Sequence, residues 1–208
     1  MNSAITYAGV ALALIVISLF LLVRTAKTCA QNEQDILSTP TISRDCAVFT
    51  SFGSTRISGS PDDVFAAILD FETYPTWSSY VEYEWSEAGA DGLPSVGSPG
   101  TFRLTVDDNT RRTIPVKLTM LDRKRRVVSE VSTIYPKWLL ASERVQEVLP
   151  IEGSPGYCEY RTYHTYEGFA SYYLLLATRE DMSEHERQCA RDLDAFFQEK
   201  ARFGKTRT

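Results

Sequence analysis

The longest hydrophobic run comes first: residues 4–23, AITYAGVALALIVISLFLLV, carry no charge. At 1.5 Å per residue a helix of this length covers the roughly 30 Å hydrocarbon core of a bilayer, so the pattern predicts one transmembrane helix, within an anchor spanning 1–24. No Lys or Arg precedes the run, and Arg24 and Lys27 follow it, which argues for an anchor over a cleaved signal peptide. A cut after Ala30 stays compatible with Thr28-Cys29-Ala30. Because Arg24, Lys27 and Arg44 lie on the C-terminal side, the positive-inside rule places the rest of the chain in the cytoplasm, as a single-pass membrane protein. Residues 25–45 are polar and aperiodic and read as a tether.

From Cys46 the pattern changes repeatedly between periods of 2 and 3.6. Cys46 to Ser58 is rich in β-branched and aromatic residues and predicts the first strand. Ser60 is placed to cap a helix that opens on Pro61, Asp62 and Asp63 and buries Val64, Phe65, Ile68 and Leu69. Tyr74 before Pro75 ends that helix, and PTWSS starts another turn. Val81, Tyr83 and Trp85 then alternate with Glu82 and Glu84 as a half-exposed strand. A Gly, Pro and Ser-rich loop follows, then alternating strands around Phe102 and Leu104 and from Ile114 to Met120, with a turn at 107–109 between them. Arg125 to Ile134, Ser142 to Leu149 and Tyr157 to Glu167 give three more. On the last, Tyr157, Glu159, Arg161, Tyr163 and Glu167 should face water, and Cys158, Tyr160, Thr162, His164 and Tyr166 should point inward. Residues 168–178 fit loop or helix. Ser183 to Glu186 matches a capping box for a final helix with Ala190, Leu193, Phe196, Phe197 and Phe203 on one face and Gly204 after its end.

Composition narrows the possible functions. A net charge of -5 without a basic stripe argues against nucleic acid as a partner, and Arg123 to Arg126 reads as a solvated hairpin turn. Eleven Tyr and ten Phe suit a bulky core or an apolar pocket. The scattered Cys29, Cys46, Cys158 and Cys189 offer no metal-ligand spacing and read as free thiols. No phosphate-binding glycine loop or Ser-His-Asp arrangement supports a nucleotide cofactor or nucleophilic catalysis, so no cofactor is expected.

One strand, two short helices, six strands and a long helix, with Ser60-Pro61, Leu69-Asp70-Phe71, Tyr74-Pro75, Trp77, Val96-Gly97, Glu143-Arg144 and Glu167-Gly168-Phe169 at the junctions, resembles the START/polyketide-cyclase (SRPBCC) superfamily, which includes coenzyme Q-binding START-type proteins. The resemblance implies an α+β helix-grip fold over residues 46–208, a curved antiparallel sheet of about seven strands around the C-terminal helix. It also implies a cavity between sheet and helix, though the superfamily's architecture serves carriers, receptors and enzymes alike.

Alternation then selects the lining: Tyr83, Trp85, Phe102, Leu104, Ile114, Val116, Leu118, Tyr160, Thr162, His164 and Tyr166, with Leu193 and Phe197 from the helix. Trp77 and Trp138, aromatics beside loops, fit either gates to it or plain packing. Such a lining suits a hydrophobic small molecule or lipid bearing a carbonyl or hydroxyl, bound for transfer or presentation at a membrane. His164, with Tyr160 and Tyr166, is the candidate catalytic group if the domain is instead a polyketide-cyclase-like enzyme; a purely structural His bonded to a Tyr hydroxyl is the alternative. His185, near a helix start, is expected to be solvated.

Overall fold

The structure is a computed structural model and describes residues 18, 36–86, 88–89, 92–107 and 110–205. The expected transmembrane helix over 4–23 lies, apart from Ser18, outside these, as does the tip of the turn at 108–109. No helix among the described residues is long and apolar enough to cross a membrane.

Seven strands, β1 (Ala47–Ser58), β2 (Val81–Trp85), β3 (Pro99–Asp107), β4 (Thr110–Asp122), β5 (Val127–Ser132), β6 (Ala141–Pro150) and β7 (Tyr157–Glu167), form one curved antiparallel sheet ordered β1-β7-β6-β5-β4-β3-β2. Each sequence neighbour from β2 to β7 is a sheet neighbour, while β1 closes on β7. The chain must therefore cross from one edge of the sheet to the other between β1 and β2. That crossing carries α1 (Pro61–Leu69), a 3₁₀ turn (Phe71–Thr73) and α2 (Tyr74–Trp77).

As its sequence predicts, α1 starts at an N-cap Ser60 whose hydroxyl oxygen accepts the Asp63 N–H at 3.1 Å, with Asp62 and Asp63 in the positive first turn. Its apolar stripe, continued by Phe71 and Tyr74, packs with Val81, Tyr83, Leu118, Val148, Tyr160, Leu193 and Phe197 into one core. At about 1.5–3 kcal/mol per fully buried large side chain, this cluster dominates the stability of the domain.

The ambiguous segment after β7 becomes α3 (Ser171–Ala177), and α4 (Arg179–Lys205) follows after one residue. Ser183 to Glu186 is therefore no N-terminus. The helix opens at Arg179, with Glu180 and Asp181 in its first turn, and runs through Gly204. Ala190, Leu193 and Phe197 are buried as expected, but Phe203 is exposed. The packing of α4 across β1 depends on Gly53, where a Cβ would lie 2.4 Å from the backbone C and O of Glu186.

The expected tether is partly built into the domain. Residues 36–42 lie on the outer face of the sheet: the Leu37 N–H donates to Thr50 Oγ1 at 3.0 Å, Thr165 Oγ1 donates to the Leu37 carbonyl at 2.7 Å, and Ile42 is fully buried. Glu143, buried on that outer face, accepts from the Thr41 N–H at 2.8 Å, the Thr41 hydroxyl at 2.6 Å and the hydroxyls of Thr39 and Thr119. This strap also explains why Tyr163, assigned by alternation to water, is buried: alternation distinguishes two faces and cannot say which part of the outer one is covered.

Candidate functional site

The core built on α1 and α2 fills one end of the concave face and leaves the other end open. There a cavity of about 540 Å³ is enclosed by Phe102, Leu104 and Ile114 from β3 and β4, Tyr166 from β7, and Leu174, Met182 and Cys189 from α3 and α4. Its polar floor is Arg144, His164 and Glu186.

The register places these groups together. Glu130 on β5 pairs with Arg144 on β6, which pairs with His164 on β7, so three functional side chains form a row across adjacent strands on the inner face. Glu186 meets them from α4. Its carboxylate accepts from Thr162 Oγ1 at 2.6 Å and His164 Nδ1 at 2.7 Å, and lies 3.6 Å from Arg144 Nε. Arg144 Nε donates to Thr162 Oγ1 at 3.1 Å and Nη1 donates to Tyr83 OH at 2.8 Å; Tyr83 in turn bonds Glu130. Behind them Gln146 accepts from Tyr160 OH at 2.7 Å and bonds Tyr74 OH, so these buried phenols are satisfied within the protein.

One guanidinium stands between two buried carboxylates and serves them unequally. Burial alone would raise the Glu186 carboxyl, but Arg144, His164 and Thr162 together hold it at about 2. Burial pushes Glu130 to about 8, against the opposing pull of Arg144 and Tyr83. At neutral pH the cluster thus holds an ionised Glu186 and a largely protonated Glu130. With Nδ1 bonded to the Glu186 carboxylate, the His164 ring, which lines the cavity, has Nε2 left for a ligand. Phe102 and Tyr166 flank the ring at centroid distances of 6.2 and 5.9 Å.

The two carboxyls give opposite pH dependences. Glu186, lowered from 4.5, contributes stability present above that value and lost as pH falls toward 2. Glu130, raised from 4.5 to about 8, contributes stability present below 4.5 and lost as pH rises toward 8. Denaturant titrations of the wild type between pH 5 and 8 should therefore include a downward component of up to one proton, about 1.4 kcal/mol per pH unit. The Glu130→Gln variant should lack it; equal slopes in both proteins would refute the assignment.

The structure brings Phe102, Leu104, Ile114, His164 and Tyr166 to the cavity as alternation suggests. Thr162 lies beneath the floor as a bridge between Arg144 and Glu186. Tyr83, Val116, Leu118, Tyr160, Leu193 and Phe197 are core instead, and Trp85 packs on that core with its six-membered ring against Gly100. They point inward, but the core built on α1 and α2 occupies the space in front of them, and Tyr83 and Trp85 edge a separate surface pocket with Leu69 and Phe71. Tyr160 is spent on Gln146 and stands outside the cavity, so of the candidate catalytic trio only His164 and Tyr166 reach it. Trp77 packs on Tyr74 and Phe196 at the closed end and gates nothing. Trp138 is exposed beside the loop before β6, outside the lining. His185 is half-buried at the cavity edge with its ring 5.1 Å from Tyr80, not solvated at a helix start.

Sequence reasoning missed Arg144, Glu130, Gln146 and Glu186. In SERVQEVL on β6, charged and polar residues occupy both faces, so no contrast marks Arg144. Glu186 was hidden by its match to a capping box. The usable signal was that Arg144 and Glu186 sit at positions where period 2 and period 3.6 point inward.

Residues 50–162 match the family described as polyketide cyclase/dehydrase and lipid transport. No curated protein matches the chain significantly in sequence. Among solved structures, the Zhui aromatase/cyclase from Streptomyces sp. R1128 is similar with a TM-score of 0.55 at 11% identity, over 73% of this chain and 94% of that one. Ara h 8.0201 gives 0.54 at 13%, over 72% and 97%. A Thalictrum norcoclaurine synthase point mutant in complex with a transition-state analogue gives 0.52 at 14%, over 73% and 95%. These likenesses are of fold. The family match spans more than half of the 208 residues, and the chain therefore belongs to the polyketide cyclase/dehydrase and lipid transport family, within the START-like SRPBCC superfamily.

Proposed function

We propose that this domain binds a hydrophobic small molecule or lipid of sterol, quinone, acyl or polyketide type and carries or presents it at a membrane, with residues 4–23 as a single-pass anchor and the domain on the cytoplasmic side. The observation that carries the binding reading is the buried Arg144–Glu186–His164 cluster at the floor of a cavity whose walls are mainly apolar, with Arg112, Thr113, Ser132, Ser142 and His185 as further polar groups. Desolvated charges of this kind often contribute little to net stability, and an apolar pocket with a few converging polar groups is the common form of a small-molecule site. The apolar walls would hold the ligand's body, and His164 with Arg144 would orient a carbonyl or hydroxyl at its tip.

The test is mass spectrometry of the small molecule that copurifies in mild detergent. Wild type should retain a defined species, and His164→Ala should retain at least about tenfold less, the loss of one charge-assisted hydrogen bond. Wild-type protein that takes up nothing from a lipid extract would end the carrier reading.

The Glu186–His164 contact favours a second reading, a cyclase-like enzyme. A carboxylate on Nδ1 orients an imidazole so that Nε2 could take a proton alpha to a ligand carbonyl, and the Arg144 guanidinium on the same cavity floor would stabilise the enolate oxygen that develops. Product formation that survives His164→Ala unchanged would exclude it.

A further inference from the structure

We infer that the cavity selects an amphipathic acid: a molecule with an apolar body, a neutral oxygen that meets the floor, and a carboxylate held at the mouth by Arg112. This deepens the binding reading and rests on it. Strand register places Arg112. Val81 on β2, Leu104 on β3 and Arg112 on β4 are direct partners, so they share one face, and Val81 and Leu104 turn that face to the cavity. The next row inward is Tyr83, Phe102 and Ile114, two residues or about 7 Å along the strands. Phe102 lies at the floor, its ring centre 5.8 Å from the Arg144 guanidinium carbon and 6.2 Å from the His164 ring centre. Arg112 thus stands one row out from the floor, where Thr110 to Ile114 run past the end of β5, whose last residue Ser132 pairs with Val116.

The charge of Arg112 is unspent. The neighbouring arginines of this hairpin, Arg103 and Arg111, turn to the outer face and pair with Glu84 and Glu82. Arg112 is exposed and has no hydrogen-bond or ion-pair partner among the described residues. Glu186 is the one carboxylate among the described lining residues, and it is committed at the floor, where it accepts from Thr162 and His164 and neutralises Arg144. A ligand carboxylate at the floor would stand beside that anion, so the floor suits a hydroxyl or carbonyl oxygen. At the mouth the balance is reversed, with a guanidinium and no acidic side chain. His185, the other titratable group at that edge, stands against Tyr80 and adds no negative charge in either protonation state. One guanidinium matches one carboxylate in charge and in its planar fork, whereas a phosphate dianion would call for more than one cation. Neutral sterols and quinones leave Arg112 unused; hydroxy and oxo acids of acyl or polyketide type use both ends of the site.

Equilibrium dialysis of the detergent-solubilised full chain tests this with two probes that share an apolar body and a terminal hydroxyl, ω-hydroxydodecanoate and dodecanediol. Wild type should prefer the acid, and the acid-to-diol affinity ratio should fall at least about fivefold in Arg112→Gln, the loss of one partly screened, charge-assisted contact. Arg112→Glu should go further and favour ω-aminododecanol over the acid. Both variants should melt with wild type, because the side chain they replace is exposed and unpaired. Arg111→Gln, on the outer face, is the control in which the ratio should stay within about twofold. Each comparison uses the same two probes, so their partition into detergent cancels. A ratio equal in wild type and Arg112→Gln overturns the assignment, whether both probes still bind or both are lost together. The binding reading is reported separately. Wild type that takes up neither probe but retains a neutral species from a lipid extract refutes the anion site alone, and wild type that takes up nothing refutes both.

Discussion

Glu186→Ala should lower the melting temperature by about 10 °C. Arg144 is almost completely buried, and Glu186 is the ionised carboxylate beside it, since Glu130 is largely protonated at neutral pH. Removing one partner of a buried pair leaves the other charge uncompensated, at about 3–5 kcal/mol. For a domain of this size each kcal/mol corresponds to about 2–4 °C. The same variant frees His164 from the group that orients it, so ligand retention should fall with stability. A double variant, Arg144→Met with Glu186→Leu, separates the two effects. Replacing a buried pair by apolar side chains of similar volume is often neutral or better, so the double variant should melt within about 5 °C of wild type while still failing to retain ligand. A Glu186→Ala protein that melts within 2 °C of wild type would show that Arg144 finds compensation elsewhere.

Gly53→Val should destabilise by about 3 kcal/mol or more, at the upper end of overpacking costs, because the obstacle is backbone rather than a side chain that can rotate away. The new atoms would meet the Glu186 carbonyl carbon and oxygen at 2.4 Å and the Arg187 nitrogen at 2.6 Å. α4 must then retreat from β1, and Glu186 moves with it, away from His164 and Thr162. Thermal melts should show the loss in stability, and copurified ligand should fall even at temperatures where the protein is still folded. Gly156→Ala is the matched control: nothing lies within 4 Å of its Cβ position, and its effect should stay within about 0.5 kcal/mol. Equal melting of Gly53→Val and wild type would mean that the helix crosses the sheet elsewhere.

These two sites show where sequence reasoning stops. Gly53 reads as a mild defect inside a strand, and nothing local marks it as the contact point for a helix more than 130 residues later. Glu186 satisfies a capping pattern so well that its burial is concealed. The inward positions on the strands were legible because β-strand alternation is a local property, and for His164, Phe102 and Leu104 it led to the cavity. For Tyr160, Leu193 and Phe197 the same reasoning led into solid core, because pointing inward does not say what stands opposite. Trp138 differs in the other sense: an aromatic in a loop suits a gate, but it is exposed outside the cavity lining.

The sequence by itself determined the order and type of nearly every element, the N-cap of α1, the inner face of β7 and hence the α+β fold, since each follows from period, turn chemistry and caps within a few residues; the end of α1 it placed at Tyr74, which in the structure is αR and opens α2, while α1 stops at Leu69. It also carried the uncharged run at 4–23. Tertiary structure decided which half of the concave face is filled and which is empty, because α1 and α2 pack on the sheet from within the crossing that joins its two edges. It decided that Glu130, Arg144, His164 and Glu186, from four separate elements, share one desolvated site, since their charges become a site only when register and helix crossing exclude water from between them. It also decided that part of the outer face of the sheet is covered as well, by a strap whose polar, aperiodic sequence gives no local sign of the buried carboxylate it satisfies.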